Sequence, residues 1–285
     1  MPLSLVSNVA SIKAQGQLNR TTQALGKTFE RLSSGLRINS ASDDPAGLMM
    51  ADSLRADAKL ASVAVRNAND GISMAAIADA ALQNIGEILQ RMSELATQSS
   101  NGTFTNVQRS ALSSEFIALG SEIDRIAKTT TFNNINLLST SSNVAIQVGL
   151  RGSANDLITI GSVVGTLQAL GIGNASGALT FSISDSTANL AAAAAASASS
   201  MLTNAINTVG SLRGTLGAAE SRLSTAVNYL TVARENFVAA ESRIRDVDVA
   251  QEVAQMVRLQ ILQQSGAAIV AQANQQPSVV LSLLK

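Results

Sequence analysis

The sequence predicts a mainly α protein, a long antiparallel helical bundle or coiled coil formed by both chain ends, with a small β-hairpin region in the middle. Three observations predict it. Apolar residues recur at alternating spacings of four and three toward both ends of the 285 residues, the run from Pro45 to Ser99 holds no further proline, and charge nearly vanishes between about residues 139 and 200.

The first element follows from Leu18, Thr22, Leu25, Phe29 and Leu32, which line one helix face until Ser33-Ser34-Gly35 breaks it. Asp43-Asp44-Pro45 then offers an acidic N-cap followed by proline at the first helical position, so a second helix starts at about Pro45. Its stripe is Leu54, Ala58, Ala61, Val65, Ala68, Ile72 and Ala75. After a phase slip it resumes with Ala78, Leu82, Ile85, Leu89, Met92 and Ala96. At 1.5 Å per residue such a helix is roughly 80 Å long. Asn101-Gly102 signals a turn, and Thr105-Asn106-Val107-Gln108 resembles a capping box. The third helix it opens carries Leu112, Phe116, Leu119, Ile123 and Ile126, a face that packs antiparallel on the second as a helical hairpin.

In the middle, Val144, Ile146 and Val148 alternate, as do Ile158 and Ile160, around the loop Gly152-Ser153-Ala154-Asn155-Asp156, which reads as a β-hairpin. Leu179, Phe181 and Ile183 suggest one more strand. This Ser/Thr/Ala-rich block is too short and too weakly apolar for an independent domain. After the run Ala191 to Ala196 comes the most regular stripe: Leu212, Leu216, Ala219, Leu223, Ala226, Leu230, Ala233, Phe237, Ala240, Ile244 and Val247. A last helix runs from about Val249 to Asn274 and ends before Pro277. The expected segments are therefore 1–44, 45–138, 139–200, 201–247 and 248–285.

Composition excludes most chemistry. The 20 basic and 20 acidic residues cancel, which removes the broad positive field that nucleic-acid binding needs. There is no His, Cys or Trp and one tyrosine, Tyr229, so imidazole, thiolate and the common zinc, haem and iron-sulfur ligands are missing. No catalytic, cofactor-binding or metal residue is assigned. The carboxylate pairs Asp43-Asp44 and Asp246 with Asp248 lack a partner base, and the chain reads as a non-enzyme. Met1 to Gln15 does not have the form of a Sec signal peptide. The uncharged stretch Leu259 to Leu284 is broken by Gln, Asn and Pro and reads as no membrane span. Asn101-Gly102-Thr103 and Asn174-Ala175-Ser176 fit the N-glycosylation pattern.

The stripes are rich in alanine, aromatic content is 2%, and the terminal helices have few local partners. An isolated chain would leave their apolar faces in water, so the sequence points to assembly.

Several segments resemble one family, bacterial flagellin. They are Leu32-Ser33-Ser34-Gly35-Leu36-Arg37-Ile38-Asn39-Ser40-Ala41, Asp43-Asp44-Pro45-Ala46-Gly47, Arg91-Met92-Ser93-Glu94-Leu95-Ala96 and Phe132-Asn133-Asn134. Toward the other end lie Glu241-Ser242-Arg243-Ile244-Arg245-Asp246-Val247-Asp248 and Gln272-Ala273-Asn274-Gln275-Gln276-Pro277. The resemblance covers about residues 1–138 and 209–285 and implies a short form without large outer domains. It implies an extracellular filament subunit used for motility, with segments 1–44 and 248–285 in an inner tube and 45–138 and 201–247 in a rod layer around it. It also implies a type III export apparatus, an export chaperone, a filament cap and hook-junction proteins as partners.

By that resemblance, inter-subunit packing falls to Leu18, Leu25, Phe29, Leu32, Arg91, Leu95, Glu115, Val253, Ile261 and Leu262. The charges Arg31, Arg37, Asp43, Asp44, Arg243, Arg245, Asp246 and Asp248 sit at the junctions, as inter-subunit or connecting-spoke contacts. Arg91, Leu95 and Glu115 match positions that a Toll-like innate receptor recognises in related proteins, although Ser93 stands where a second basic residue is common. The competing readings are a hook-filament junction protein and a filament-borne adhesin using the Ser/Thr-rich block.

Overall fold

The computed structural model describes residues 8–184 and 188–283. Residues 1–7 of the expected first segment, Asp185 of the low-charge block, and residues 284–285 lie outside them. The elements are α1 (Val9–Ser34), α2 (Pro45–Ser100), α3 (Asn106–Thr129), β1 (Thr131–Phe132), β2 (Ile135–Asn136), β3 (Val144–Gln147), β4 (Leu157–Ile160), α4 (Ala188–Arg245) and α5 (Val249–Leu283). The chain forms two compact units, Met1–Ala58 with Glu235–Lys285, and Lys59–Arg234.

In the unit Lys59–Arg234, the stripe expected for α2 is the buried one on both sides of the phase slip: Ala61, Ala68, Ala75, Ala78, Leu82, Ile85, Leu89, Met92 and Ala96 are all in the core. The turn at Asn101-Gly102 reverses the chain. The capping box is formed, with Thr105 Oγ1 accepting from the Gln108 N–H and the Gln108 side chain accepting from the Thr105 N–H at 2.9 Å. The face of α3 is rotated from the expected one. Its centre is Arg109, Ser113, Phe116, Gly120, Ile123 and Ala127, while Leu112, Leu119 and Ile126 sit half-buried at its edge. Gly120 explains the rotation: a Cβ there would lie 2.8 Å from Leu179 Cδ1, so the missing side chain lets the central segment press onto the helix.

That central segment holds two corrections. Leu179, Phe181 and Ile183 form no strand; Leu179 makes one isolated bridge to Gly173. The stretch 162–184 instead straps across the helices, burying Val163, Leu167, Leu170, Ile172 and Ile183 in the same core. Phe181 meets Phe116 edge to face at 5.7 Å, and the Ser99 hydroxyl donates to the Ile183 carbonyl at 2.6 Å. Sequence alternation mistook a docked strap for a strand, because no neighbouring strand supplies a ladder. Helix α4 also opens at Ala188, inside the segment 139–200, since alanine has the highest helix propensity.

The expected hairpin is present: β3 pairs antiparallel with β4, Val144 opposite Ile160 and Ile146 opposite Ile158. A smaller hairpin, β1 with β2, turns on Asn133 and Asn134 at φ 46° and 65°, the left-handed pair that a two-residue hairpin turn requires.

In the other unit, α1 and α5 pack antiparallel. Asn8 lies against Ala273, Thr22 against Gln263 and Arg31 against Glu252, an even register along both helices. The face of α1 is again rotated: Thr21, Leu25 and Thr28 are buried, whereas Thr22 and Phe29 are exposed. Helix α5 does not stop before Pro277 but runs to Leu283. Proline disfavours a helix interior by about 3 kcal/mol without forbidding it, and good helical turns flank it on both sides.

Candidate functional site

The unit built from both ends of the chain has two features to account for, its junction and its uncovered apolar surface. The junction begins where α1 stops. Gly35 takes φ 71°, the left-handed C-cap that only glycine adopts at no steric cost. The chain then pairs with the segment between α4 and α5. Leu36 bridges Asp246, the Arg37 N–H donates to the Arg245 carbonyl at 2.6 Å, and the Val247 N–H to the Gly35 carbonyl at 3.0 Å.

Most of the charges assigned to the junction are partnered inside the chain. Arg37 Nη2 donates to the Ile244 carbonyl at 2.8 Å, at the end of α4 where the helix dipole favours a cation. The Asp43 carboxylate accepts from the Ser40 and Asn39 N–H groups and the Ser40 hydroxyl, and Lys27 lies 3.6 Å away. The Ser40 N–H above all holds this carboxyl below the usual carboxylate range, outweighing the desolvation that opposes it; Asn39 and Lys27 add to the effect. Asp44 caps α2, accepting from the Ala46 and Gly47 N–H groups at 3.1 and 3.0 Å. A Cβ on Gly47 would sit 2.5 Å from Asp44 Oδ2 and 2.8 Å from Ile38 Cδ1, so this cap needs glycine at that place.

Asp248 caps α5 through the Ala250 and Gln251 N–H groups, and Asp246 accepts from the Ser242 hydroxyl at 2.6 Å. Arg31 lies 3.9 Å from Glu252, and Arg245 Nη1 3.4 Å from Asp52. Arg55 pairs with Glu241 at 2.9 Å. The Arg243 side chain is exposed and has no hydrogen bond or ion pair among the described residues.

The residues assigned to packing divide. Leu25 is 7% exposed against α5, and Leu18 and Leu32 are half-buried, Leu18 facing Gly266. Phe29, Val253, Ile261 and Leu262 are exposed, in company with Val9, Ile12, Val249, Val257 and Ile269. On α5 the side facing α1 is Glu252, Met256, Leu259, Gln263, Gly266, Val270 and Ala273. Val249, Val253, Val257 and Ile261 form a row at spacing four that winds away from it, and Leu262 and Ile269 lie on the opposite flank. Apolar side chains thus surround α5, and one α1 covers a single face.

In the unit Lys59–Arg234, Arg91 and Glu115 join α2 to α3 at 2.9 to 3.0 Å, with Glu94 also on Arg91 at 3.0 Å. The Glu94 and Glu115 carboxylates raise the Arg91 guanidinium above its ordinary value. Leu95 is 1% exposed in the core, so of the three residues only Arg91 and Glu115 present atoms outward. Sequence reasoning missed Asn8, whose side chain caps α1 at Ser11 and donates to the Ala273 carbonyl at 2.7 Å. It also missed the ion pairs of Asp52, Arg55 and Asp79. Their partners lie more than a hundred residues away, and no local signal marks them.

The model of the bacterial flagellin N-terminal helical region matches residues 6–143, and that of the C-terminal helical region residues 199–284. The chain belongs to the bacterial flagellin family. Flagellin of Listeria innocua is 36% identical over 288 residues, and that of Halalkalibacterium halodurans 40% over 279, each alignment covering 98% of both chains. Flagellin E of Vibrio cholerae is 32% identical over 377 aligned residues spanning the whole of both chains. The crystal structure of Bacillus cereus flagellin is similar at 30% identity with a TM-score of 0.48, covering 58% of this chain and 88% of that one. As a flagellin-family member the chain is a structural subunit of the flagellar filament. The β3–β4 hairpin and the strap 162–184 lie outside the two matched family regions. Among the described residues no helix is long and apolar enough to cross a membrane.

Proposed function

We propose that this subunit polymerises through its paired terminal helices into the extracellular filament used for swimming, with α1 and α5 in an inner tube. The apolar surface all round α5 carries the reading. A helix that is apolar on every side is stable only when it is covered on every side, and α1 covers one. Neighbouring subunits supply the remaining cover on Val253, Val257, Ile261 and Leu262. Arg243, exposed while its neighbours are paired, reaches a carboxylate of a neighbouring copy and fixes register more than affinity.

Replacing Ile261 by Asp tests this. The monomer should keep its helicity and melting point, because the side chain is already 58% exposed, while seeded polymerisation followed by sedimentation and electron microscopy should fail. Normal filaments from that variant would overturn the reading, and normal filaments from Arg243→Ala would overturn the role given to Arg243.

Export by the type III apparatus with a chaperone, growth beneath a cap, attachment through hook-junction proteins and recognition by a Toll-like receptor belong to the same proposal. Receptor contact rests on Arg91 and Glu115 at the surface. The adhesin reading loses its support from the Ser/Thr-rich block, because the block spends seven large apolar side chains on the core.

A further inference from the structure

The turn between α2 and α3 holds the single Asn-Gly pair of the sequence, Asn101-Gly102. Four observations converge on it. Both residues are exposed, and the space where a Cβ of Gly102 would stand is open, with nothing within 4 Å. Asn101 Oδ1 accepts from the Thr103 N–H at 3.1 Å, which folds the carboxamide along the chain toward the Gly102–Thr103 backbone that contains the attacking nitrogen. Neither the Gly102 N–H nor the Asn101 side-chain amide donates to another group among the described residues, so nucleophile and leaving group are both unencumbered. Finally, the Asn101 carbonyl accepts from Arg109 Nη2 at 2.9 Å, and the Arg109 side chain that holds it is buried, the residue being 1% exposed. That carbonyl and the Gly102 N–H belong to one peptide group. A guanidinium on the oxygen withdraws electron density through the amide and makes its N–H more acidic, and a charge-assisted bond to a buried cation is stronger than one to water.

We propose that Asn101 is a self-modification site, a deamidation centre activated by its own fold. The Gly102 nitrogen loses its proton to water and attacks Asn101 Cγ. A bond forms between that nitrogen and Cγ, the bond from Cγ to Nδ2 breaks, and ammonia leaves, giving a five-membered succinimide. Water then opens the ring at either carbonyl, yielding aspartate, or isoaspartate with the main chain routed through the former side chain. Each product adds one negative charge at the residue whose carbonyl Arg109 already holds, and isoaspartate adds one methylene to the turn joining α2 to α3. A filament subunit that is not replaced would carry this change as a record of its age.

The test is timed incubation of the full chain at mildly alkaline pH, with peptide mass spectrometry for the one-dalton gain and isoaspartyl methyltransferase labelling for the isomer. Asn101 should convert several-fold faster than every other asparagine. Gly102→Ala should slow it several-fold with unchanged circular dichroism, since the added methyl meets open space. Unfolding in urea at the same pH should also slow it. If Asn101 lags behind another asparagine, the site is wrong. If it reacts at the same rate or faster in urea, activation by the fold is wrong.

Discussion

Helix α4 shows one sequence pattern meeting two fates. Its four-and-three stripe is unbroken from Leu212 to Ile244. Yet Leu216, Leu223 and Leu230 are at most 2% exposed, while Phe237, Ala240 and Ile244 are only half-buried. The first group belongs to the unit Lys59–Arg234, where α2 and the β3–β4 hairpin region cover the helix, Leu223 beside Gly71 and Ile146, and Leu230 among Ala61, Ala64, Val65 and Val148. The second belongs to the unit made from the two chain ends, in which Leu25 and Leu259, the most buried leucines among its described residues, each remain 7% exposed. Periodicity states which face wants cover. It does not state whether the cover comes from the same chain, and the difference between the two units is the difference between a closed core and a more open one, which the proposed polymerisation would complete.

The largest expected effect tests the finished core. Leu89→Ala, at a fully buried position, should cost about 3–5 kcal/mol in urea unfolding of the monomer, because the cavity it leaves cannot collapse among packed helices. Leu25→Ala should cost less, about 2 kcal/mol, and should show as faster hydrogen exchange in α1 and α5 with α3 unaffected. Equal losses at the two leucines, or exchange quickening in α3, would dissolve the contrast between units. Thr105→Ala should remove about 1 kcal/mol by opening the cap of α3, seen in the same urea assay.

The smallest effect sharpens the comparison through pH. Arg213 makes two bonds to Asp79, at 2.7 and 3.0 Å, and its hydrogen bonding followed by its charge holds the Asp79 carboxyl below the usual range against desolvation. A depressed folded-state value means that the stabilisation is complete at neutral pH. It begins to fade as pH falls through the ordinary carboxylate range and is lost below the folded value. Both side chains are more than a third exposed, so the pair should be worth less than about 1 kcal/mol. Asp79→Asn should flatten the acid limb of the stability curve by that amount and leave the neutral limb's shape unchanged.

Much of this was legible in the sequence. The stripe of α2 with its phase slip, the box at Thr105 and Gln108, the register-setting residues of β3 and β4 and the caps at Asp44 are local signals, and each formed as local chemistry dictates. The faces of α1 and α3 were read one position off, because Thr21, Thr28 and Gly120 lie on the buried side and hydrophobicity does not point to small or polar residues. The strap was misread for a related reason: its buried residues are spaced by what they rest on, not by a period of their own. At the candidate site, the motif at 43–47 located the junction. The partners of Arg37, Arg245 and Arg55 lie across some two hundred residues and could be found only in the fold.

The pairing of Asn8 with Ala273 spans 265 residues of sequence. A ribosome makes α1 first and α5 last, so α1 waits through nearly the whole of synthesis without the helix that covers it, whereas α2 and α3 meet as soon as one short turn has emerged. Closing so long a loop is entropically dear and kinetically late. Half-made or truncated chains therefore lack the terminal unit altogether, and only a chain that has been finished can present it.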